Sequence, residues 1–484
     1  MAFTNLREFV AHLEKQGQLR RVTTPVSRDL EITEITDRVS KGPAERNVAL
    51  LFENVEGLTT PVLINAFGSA ERMAAALGVE RLDDLSARVE KLLDLRMPGS
   101  LMDKLRRLGD LFDLAKAGPK HVRSAPCQEV VQTEQPSLAG LPIIRCWPGD
   151  AGRYITLPMV FTRDPTSGAR NVGMYRLQVF DDRTLGMHWQ THKGSAEHQR
   201  RAEETGSPRM EVAIALGGDP CAIYSGSAPL PPGVDEMVFA GWLRGSGVPM
   251  VACKTIELEV PAEAEIVLEG YVDPSERRRE GPFGDHTGYY SLAHDYPVFH
   301  LTALTRRRNP IYPTTIVGRP PQEDYWLGKA TERIFLPIIR LMLPEVVDMN
   351  MPAEGVFHNL VIVSIKKRYP GHARKVMYAL WGLGLMMLAK TIVVVSEHVD
   401  VNNLSEVAWR ATGNIDPKRD LVVIDGPMDD LDHAALRHRF GGKLGIDATE
   451  KTEMDGIGQP WPEEIQMSEE IRALVSRRWP EYGL

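Results

Sequence analysis

The run Val376-Met377-Tyr378-Ala379-Leu380-Trp381-Gly382-Leu383-Gly384-Leu385-Met386-Met387-Leu388-Ala389-Lys390-Thr391-Ile392-Val393-Val394-Val395 decides what kind of fold this chain has. About 20 apolar residues suffice to cross a bilayer, and Lys390 is the only charge here, so the stretch first reads as a membrane span. Its composition changes partway, however, from Met, Leu and Ala before Lys390 to β-branched residues after it. That switch predicts a buried helix followed by a buried strand. Gly382 and Gly384 argue only weakly against a span; the change of residue type argues strongly.

The neighbouring pattern agrees. Residues 360–366 read as a strand, 373–389 as a helix, 391–396 as a strand, 404–412 as a helix and 421–425 as a strand, an alternation that marks a parallel α/β sheet. Upstream, 324–343 is helical in pattern, and Pro337 is expected to bend it. Residues 154–308 hold short runs rich in Val, Ile, Thr and aromatics, with candidate strands at 155–162, 172–180, 185–191, 210–216, 264–272 and 298–304. Asp181-Asp182-Arg183 reads as a hairpin turn between two of them. Strands so spaced suggest a barrel or curved sheet. At the N-terminus Leu6, Phe9, Val10 and Leu13 mark an amphipathic helix with Asn5 and Glu8 as a cap pair. Strands at 49–52 and 61–65 and helices at 71–77 and 82–95 come next. Residues 101–120 are charged and helical in pattern, and 125–148 read as a linker.

A chain of 484 residues exceeds the size of one core, so two or three domains are expected. Hydrophobic residues at 43% and charged residues at 25% are those of a soluble globular protein. A net charge of -8 argues against nucleic acid as partner. Cys127, Cys146, Cys221 and Cys253 form no Cys-x-x-Cys pair and read as reduced thiols. The first residues lack a basic region followed by an apolar run, which predicts a cytoplasmic protein.

The chemistry is suggested first by Glu280-Gly281-Pro282-Phe283-Gly284-Asp285-His286-Thr287-Gly288-Tyr289-Tyr290. Pro282 and the glycines prevent a helix, so Glu280 and Asp285 sit on a turn, and only a chain reversal lets both face one cavity. Two acids among aromatic and apolar groups suit acid–base chemistry, although a polar surface turn has the same composition. In Asn171-Val172-Gly173-Met174-Tyr175-Arg176-Leu177-Gln178, alternation puts Arg176 on one face with Met174 and Gln178. A guanidinium in an apolar strand needs a carboxylate partner or must snorkel to the edge. His188 and His192 share a face and could bind a metal, or could be ordinary core histidines. Glu236 opens an apolar helical stretch, as a ligand or as a dipole partner. Residues 224–231 offer small side chains and free backbone N–H groups suited to a phosphate or a flat ring. Neither a P-loop, which Gly441-Gly442-Lys443-Leu444-Gly445 fails to form, nor a Gly-x-Ser-x-Gly elbow is present.

Taken together these motifs resemble the UbiD family of prenylated-flavin-dependent decarboxylases, and most closely its 4-hydroxy-3-polyprenylbenzoate decarboxylase branch. The likeness runs nearly end to end, from Asn5-Leu6-Arg7-Glu8-Phe9 through the 170–176 and 280–290 segments, Glu265 to Gly270 and Gly318-Arg319-Pro320-Pro321, to 365–373 and Lys443 to Thr449. The resemblance implies a multi-domain α/β (α+β) fold: an N-terminal α/β domain (1–120), a central split β-barrel that binds the flavin (121–322), a linker helix (323–345) and a C-terminal α/β oligomerisation domain (346–484).

It implies Arg176, Glu280 and Asp285 as the catalytic set. Arg176 orients the substrate carboxylate, Glu280 stays ionised beside it, and Asp285 delivers the proton that replaces CO2. It implies a divalent metal, usually manganese, on Asn171, His192 and Glu236, tying down the flavin phosphate, with Lys390 at that phosphate and His188 not a ligand. Gly173, Met174, Tyr175, Arg176, Thr191, Gly226, Ser227, Ala228 and Pro229 are the further flavin contacts. Potassium is a second candidate ion. The implied partners are an aromatic carboxylic acid, a flavin prenyltransferase that makes the cofactor, and further copies of the chain as homodimer or homohexamer. A lipidic substrate would bring peripheral contact with the inner membrane. The expected reaction is decarboxylation of a polyprenylated 4-hydroxybenzoate in ubiquinone synthesis. The alternatives are another aromatic, heteroaromatic or menaquinone-pathway acid, and a flavin carrier without catalysis.

Overall fold

The computed structural model describes residues 2–93, 116–190, 194–231 and 233–483. The helical reading of 101–120 falls mostly outside them, as do Thr191 and His192. Among the described residues four sheets carry the architecture.

The first sheet pairs Leu19–Val22, Ala49–Phe52 and Val62–Ile64, and its far edge is filled by Tyr312–Pro313 from the end of the central region. The helix Leu6–Lys15 packs Leu6, Phe9, Val10 and Leu13 inward, and Asn5 caps it by accepting the Glu8 N–H at 3.0 Å. Reciprocally, the Glu8 carboxylate takes the Thr4 N–H at 2.7 Å.

The central sheet has nine strands, eight of them on an open path from Tyr154–Ile155 at one end to Arg170–Gly173 at the other, with Val130–Gln132 paired to His294–Arg306 off that path. It is thus curved but not closed. Its backbone is one long hairpin, Ile266–Glu280 against His294–Arg306, with register shifts after Glu269 and Val272. Bulges of this kind bend a strand and re-aim the residues beyond them. The loop between these strands is the two-acid segment read from the sequence. Asp181-Asp182-Arg183 does turn a hairpin, between Leu177–Val179 and Thr184–Met187, with the Arg183 N–H on the Asp181 carboxylate at 2.9 Å.

Two predicted strands are broken. The 155–162 run splits into Tyr154–Ile155 and Met159–Arg163 around Pro158, and the 172–180 run splits into Arg170–Gly173 and Leu177–Val179. Residues 174–176 leave the sheet because the Met174 N–H is taken by the Gly226 carbonyl at 2.7 Å, so simple alternation does not govern where Arg176 points.

The helix Glu323–Met342, with Pro337 inside it, leads into a five-stranded sheet in the order Val346–Asn350, Leu360–Ile365, Thr391–Ser396, Phe440–Asp447, Leu421–Pro427. The central pairings are parallel and the two edge pairings antiparallel. Thr391–Ser396 is buried as expected, but the preceding helix is shorter than predicted, His372–Trp381, and is followed by a single short 3-10 segment, Gly384–Leu388. Gly382 caps the helix and Gly384 turns the chain at φ +46°, a conformation that costs glycine little. Among the described residues no helix is long and apolar enough to cross a membrane.

Val376, Met377 and Leu380 lie fully buried against Ile392 and Val394. Leu380→Ala should therefore lower stability by roughly 2–5 kcal/mol, the usual cost of a core leucine. Urea unfolding followed through the buried Trp381 measures it, and a loss under about 1 kcal/mol would contradict the packing described.

Candidate active site

Glu280 ends the long strand at the protein's centre, fully buried, and the loop beyond it is fastened at every step. Gly281 N–H donates to Gln178 Oε1 at 2.8 Å, Gly284 N–H to Asp150 Oδ1 at 2.8 Å, and Ser291 N–H to the Phe283 carbonyl at 2.8 Å. Gly281 takes φ +88°, and a side chain at Gly284 would meet Trp147 at 2.3 Å, so both glycines are structural requirements.

This framework delivers Asp285 opposite Glu280, with Arg176 between them. The Arg176 guanidinium donates from Nε to Glu280 Oε1 at 3.0 Å and from Nη2 to Glu280 Oε2 at 3.2 Å, while Nη1 binds Asp285 Oδ2. A further Nη2 bond reaches Ser291 Oγ at 2.9 Å, and the guanidinium lies 4.9 Å from the Phe283 ring centre. The buried arginine thus has its carboxylate partners and does not snorkel.

Two histidines that the sequence reading did not place in the catalytic set complete the cluster. His188 Nδ1 meets Glu280 Oε2 at 3.0 Å. A carboxylate only accepts, so Nδ1 carries the proton and Nε2 is left with a lone pair, buried and without a partner among the described residues. His286 holds Asp285 Oδ1 twice, through its backbone N–H at 2.7 Å and Nδ1 at 2.9 Å. The signals were weak but present: His188 shares its face with His192, and His286 adjoins Asp285 in sequence.

Burial works to raise both carboxyl pKa values, yet both lie below the ordinary range. For Glu280 the His188 hydrogen bond and the Arg176 charge prevail; for Asp285 the Arg176 charge and the His286 contacts do. Burial lowers the His188 pKa, with Arg176 adding to the effect, so this ring stays neutral. The pair His286 and His358, with Nε2 atoms 3.0 Å apart, diverges. Burial pushes His358 down to about 4, whereas the Asp285 hydrogen bond overcomes burial and raises His286.

A cavity of about 200 Å³ opens on this cluster, lined by Met174, Tyr175, Arg176, His188, Asp285 and His286, with Leu431 of the C-terminal unit also in its wall. A second cavity of about 270 Å³ lies beyond His188, between residues 290–296 and the segment 430–439.

The residues expected to hold a flavin phosphate and metal gather at the opposite end of Arg170–Gly173. Asn171 Nδ2 donates to Ser195 Oγ at 3.1 Å, which turns its carbonyl oxygen toward Gly194. A side chain at Gly194 would meet that oxygen at 1.9 Å, and one at Gly173 would meet the Tyr175 hydroxyl at 2.1 Å. Glu236 accepts the Val172 N–H at 3.0 Å, and burial pushes its pKa up to about 7. A desolvated carboxyl beside an amide oxygen suits a hard divalent cation. Gly226 touches this wall through the Met174 hydrogen bond, with Ser227, Ala228 and Pro229 directly after it. Thr191 and His192 lie outside the described residues. Lys390 sits just before Thr391–Ser396 in the C-terminal unit, its ammonium 2.9 Å from the buried Asp432 carboxylate.

Three family models together match most of the chain. The N-terminal domain of 3-octaprenyl-4-hydroxybenzoate carboxy-lyase matches residues 10–92, its Rift-related domain 120–320 and its C-terminal domain 325–448. The chain belongs to the UbiD family. An uncharacterized protein of Archaeoglobus fulgidus is 52% identical to this UbiD chain over 482 residues, 99% of each. The UbiD-class enzyme HmfF from Pelotomaculum thermopropionicum, solved with FMN, is 30% identical and superposes with a TM-score of 0.81 over 97% of this chain and 98% of its own. The closed form of vanillic acid decarboxylase from Sedimentibacter hydroxybenzoicus is 29% identical, with a TM-score of 0.84 over 99% of each chain. The UbiD fold in this chain is therefore the mixed α/β fold expected.

Because their pKa values are depressed in the fold, Glu280 and Asp285 stabilise it above the ordinary carboxyl range, and that stability is lost as pH falls through the folded values. Arg176→Met removes the charge that holds them ionised. It should cost about 3–5 kcal/mol near neutral pH, the penalty of an unpaired buried charge. The deficit should shrink in mild acid as the two acids take up protons. Unfolding of both proteins at the two pH values measures this; an equal deficit at both would assign the loss to packing alone.

Proposed function

We propose that this UbiD-family chain is a non-oxidative decarboxylase that removes CO2 from an aromatic carboxylic acid with the aid of prenylated FMN. The observation that carries the reading is the buried Arg176, Glu280 and Asp285 cluster on the wall of a ring-sized cavity. Arg176 presents a planar donor fork suited to a substrate carboxylate. Glu280, fixed by Arg176 and His188, keeps the guanidinium oriented. Asp285, the cavity-side acid, delivers the replacing proton. Leu431 and Phe283 supply apolar wall to the site.

The flavin would be held by Asn171, Gly173, Met174, Tyr175 and Arg176 and by the Gly226 to Pro229 turn, with Thr191. Its phosphate would be fixed by a divalent ion, manganese or similar, on Asn171, His192 and Glu236. Prenylated FMN supplies an electron sink for the pair that CO2 leaves behind, which no side chain in the cavity can offer. Lys390, held by Asp432, is assigned to the phosphate on the resemblance alone.

Within this class the cavities favour a compact acid over a polyprenylated one. The nearer cavity, about 200 Å³, suits a single ring. The space beyond it combines His294, Asp430, Arg437, His438 and Arg439 with Tyr290, Leu292, Tyr296 and Leu431, so its charged side offers a prenyl tail only a partly apolar wall. His188 Nε2, an unpartnered acceptor at the cavity, fits a ring that carries a hydroxyl. HmfF and the vanillic acid decarboxylase are compatible relatives. The ubiquinone-pathway acid and the menaquinone-pathway acids are the larger substrates that the test must exclude. A catalytically silent flavin carrier would have no use for the three buried charges.

We further propose self-association through the C-terminal end. The helix Glu469–Arg478 buries no residue in its own chain, while Ile465, Met467 and Trp479 beside it are exposed.

Two measurements on protein co-expressed with a flavin prenyltransferase test the reading. Glu280→Gln should bind the cofactor almost normally and lose decarboxylation by at least about 10²-fold, the usual scale for a positioned acid–base group; unchanged turnover would remove Glu280 from the mechanism. CO2 release should occur from hydroxylated benzoates or small heteroaromatic acids, and release only from a polyprenylated hydroxybenzoate would reverse the substrate assignment.

A further inference from the structure

Beside the catalytic cluster, three side chains from three separate segments converge. His286 comes from the loop that carries Asp285, His358 from the turn before the strand Leu360–Ile365, and Asp429 from just after the strand Leu421–Pro427. One ligand atom from each lies within 4.8 Å of the others. The arrangement of protons makes the convergence more than proximity. His286 Nδ1 faces Asp285 Oδ1 at 2.9 Å, and because a carboxylate only accepts, Nδ1 bears the hydrogen. His286 Nε2 faces His358 Nε2, 3.0 Å away, so a single cation, a proton or a metal ion, can join the two nitrogens. His358 Nδ1 is buried with no partner among the described residues. A proton joins only the two nitrogens, whereas a metal ion would also engage the Asp429 carboxylate, which supplies a third ligand and a compensating charge.

We propose that His286, His358 and Asp429 form a divalent-metal site, suited above all to zinc, distinct from the ion expected at Asn171 and Glu236. Two imidazoles and one carboxylate are a zinc-type donor set that leaves a position open for water or for an oxygen of a bound molecule. The contact of Asp285 with the far nitrogen of His286 is the carboxylate–histidine–metal arrangement that fixes ring orientation in such sites. Backbone strain supports the placement: Val356 and Phe357, immediately before His358, adopt φ +41° and +57°, which is costly for a β-branched residue. A bound ion would pin the loop of Asp285 to the C-terminal unit, and because His286 lines the 200 Å³ cavity the open coordination position would lie near the substrate. The inference rests on side-chain geometry and not on the decarboxylase reading.

The test uses the full-length protein, stripped with a chelator, loaded with zinc chloride, desalted and assayed for zinc content and melting temperature. Wild-type protein and Glu236→Ala should each retain one zinc at this site and melt higher with it. His358→Ala and Asp429→Asn should bind zinc at least about tenfold more weakly and show no rise. Asp429→Asn, nearly isosteric, guards against misfolding of the alanine variant. Equal zinc retention in wild type and both variants, or loss of the ion in Glu236→Ala alone, would overturn the proposal. So would wild-type protein that binds no zinc, since His286 and His358 would then be joined by a proton.

Discussion

A single guanidinium holds the centre of this protein together. Arg176, buried, is clamped to Glu280 and Asp285, and no arrangement of that charge in a low-dielectric interior is tolerable without partners of this kind. Much of the surrounding architecture exists to bring those partners in. The longest strand must end at Glu280, the loop after it must reverse without a helix, and residues 174–176 must leave their sheet so that the arginine can reach both acids. Bulges in the strand, a glycine in the left-handed region and a carbonyl acceptor at Gly226 each meet one of these demands.

The same loop joins the central and C-terminal units. Leu431 lines the cavity, His358 and Asp429 approach His286, and the ring of Tyr289 lies 3.9 Å from that of His433. The Asp432 carboxylate, which also belongs to this segment, anchors Lys390. Separation of the two units would thus remove Leu431 from the cavity wall and His358 and His433 from the loop, while the bonds of the loop to Gln178, Asp150 and Arg176, all within the central unit, would remain. The acid cluster is therefore organised by the central unit, and the C-terminal unit completes its surroundings.

The sequence revealed elements wherever a local rule governs. The switch of residue type at Lys390 located a helix and a strand, and Asn5 with Glu8 located a cap. It misjudged lengths where one hydrogen bond overrides a pattern. Met174 turns to Gly226 and cuts a predicted strand in two, and Gly382 stops a helix whose apolar composition ran on to Ala389. The acids and the arginine were legible because charged residues in apolar runs demand explanation. His188, His286, His358 and Asp429 were not, because histidines and aspartates are unremarkable singly and their roles arise from contacts between segments as much as 143 residues apart, as from His286 to Asp429.

The cluster also contains the reason for a division of labour between its two acids. Glu280 is bound by two guanidinium nitrogens and by His188, in a position with no exposure, whereas Asp285 holds the guanidinium through one nitrogen and lines the cavity. An incoming carboxylate that seeks Arg176 must compete with Asp285, since the Glu280 side of the fork is already occupied twice. Once displaced, Asp285 loses the charge that kept its pKa low while the burial that raises it remains, and the new anion beside it adds repulsion. Binding of substrate would thus move Asp285 toward the protonated acid that the proposed proton transfer requires, against the two His286 contacts that still favour its anion, while Glu280 keeps its own partners. In the proposed reaction the arginine would serve two functions with one charge: it would recognise the carboxylate, and by changing partners it would prepare the proton donor.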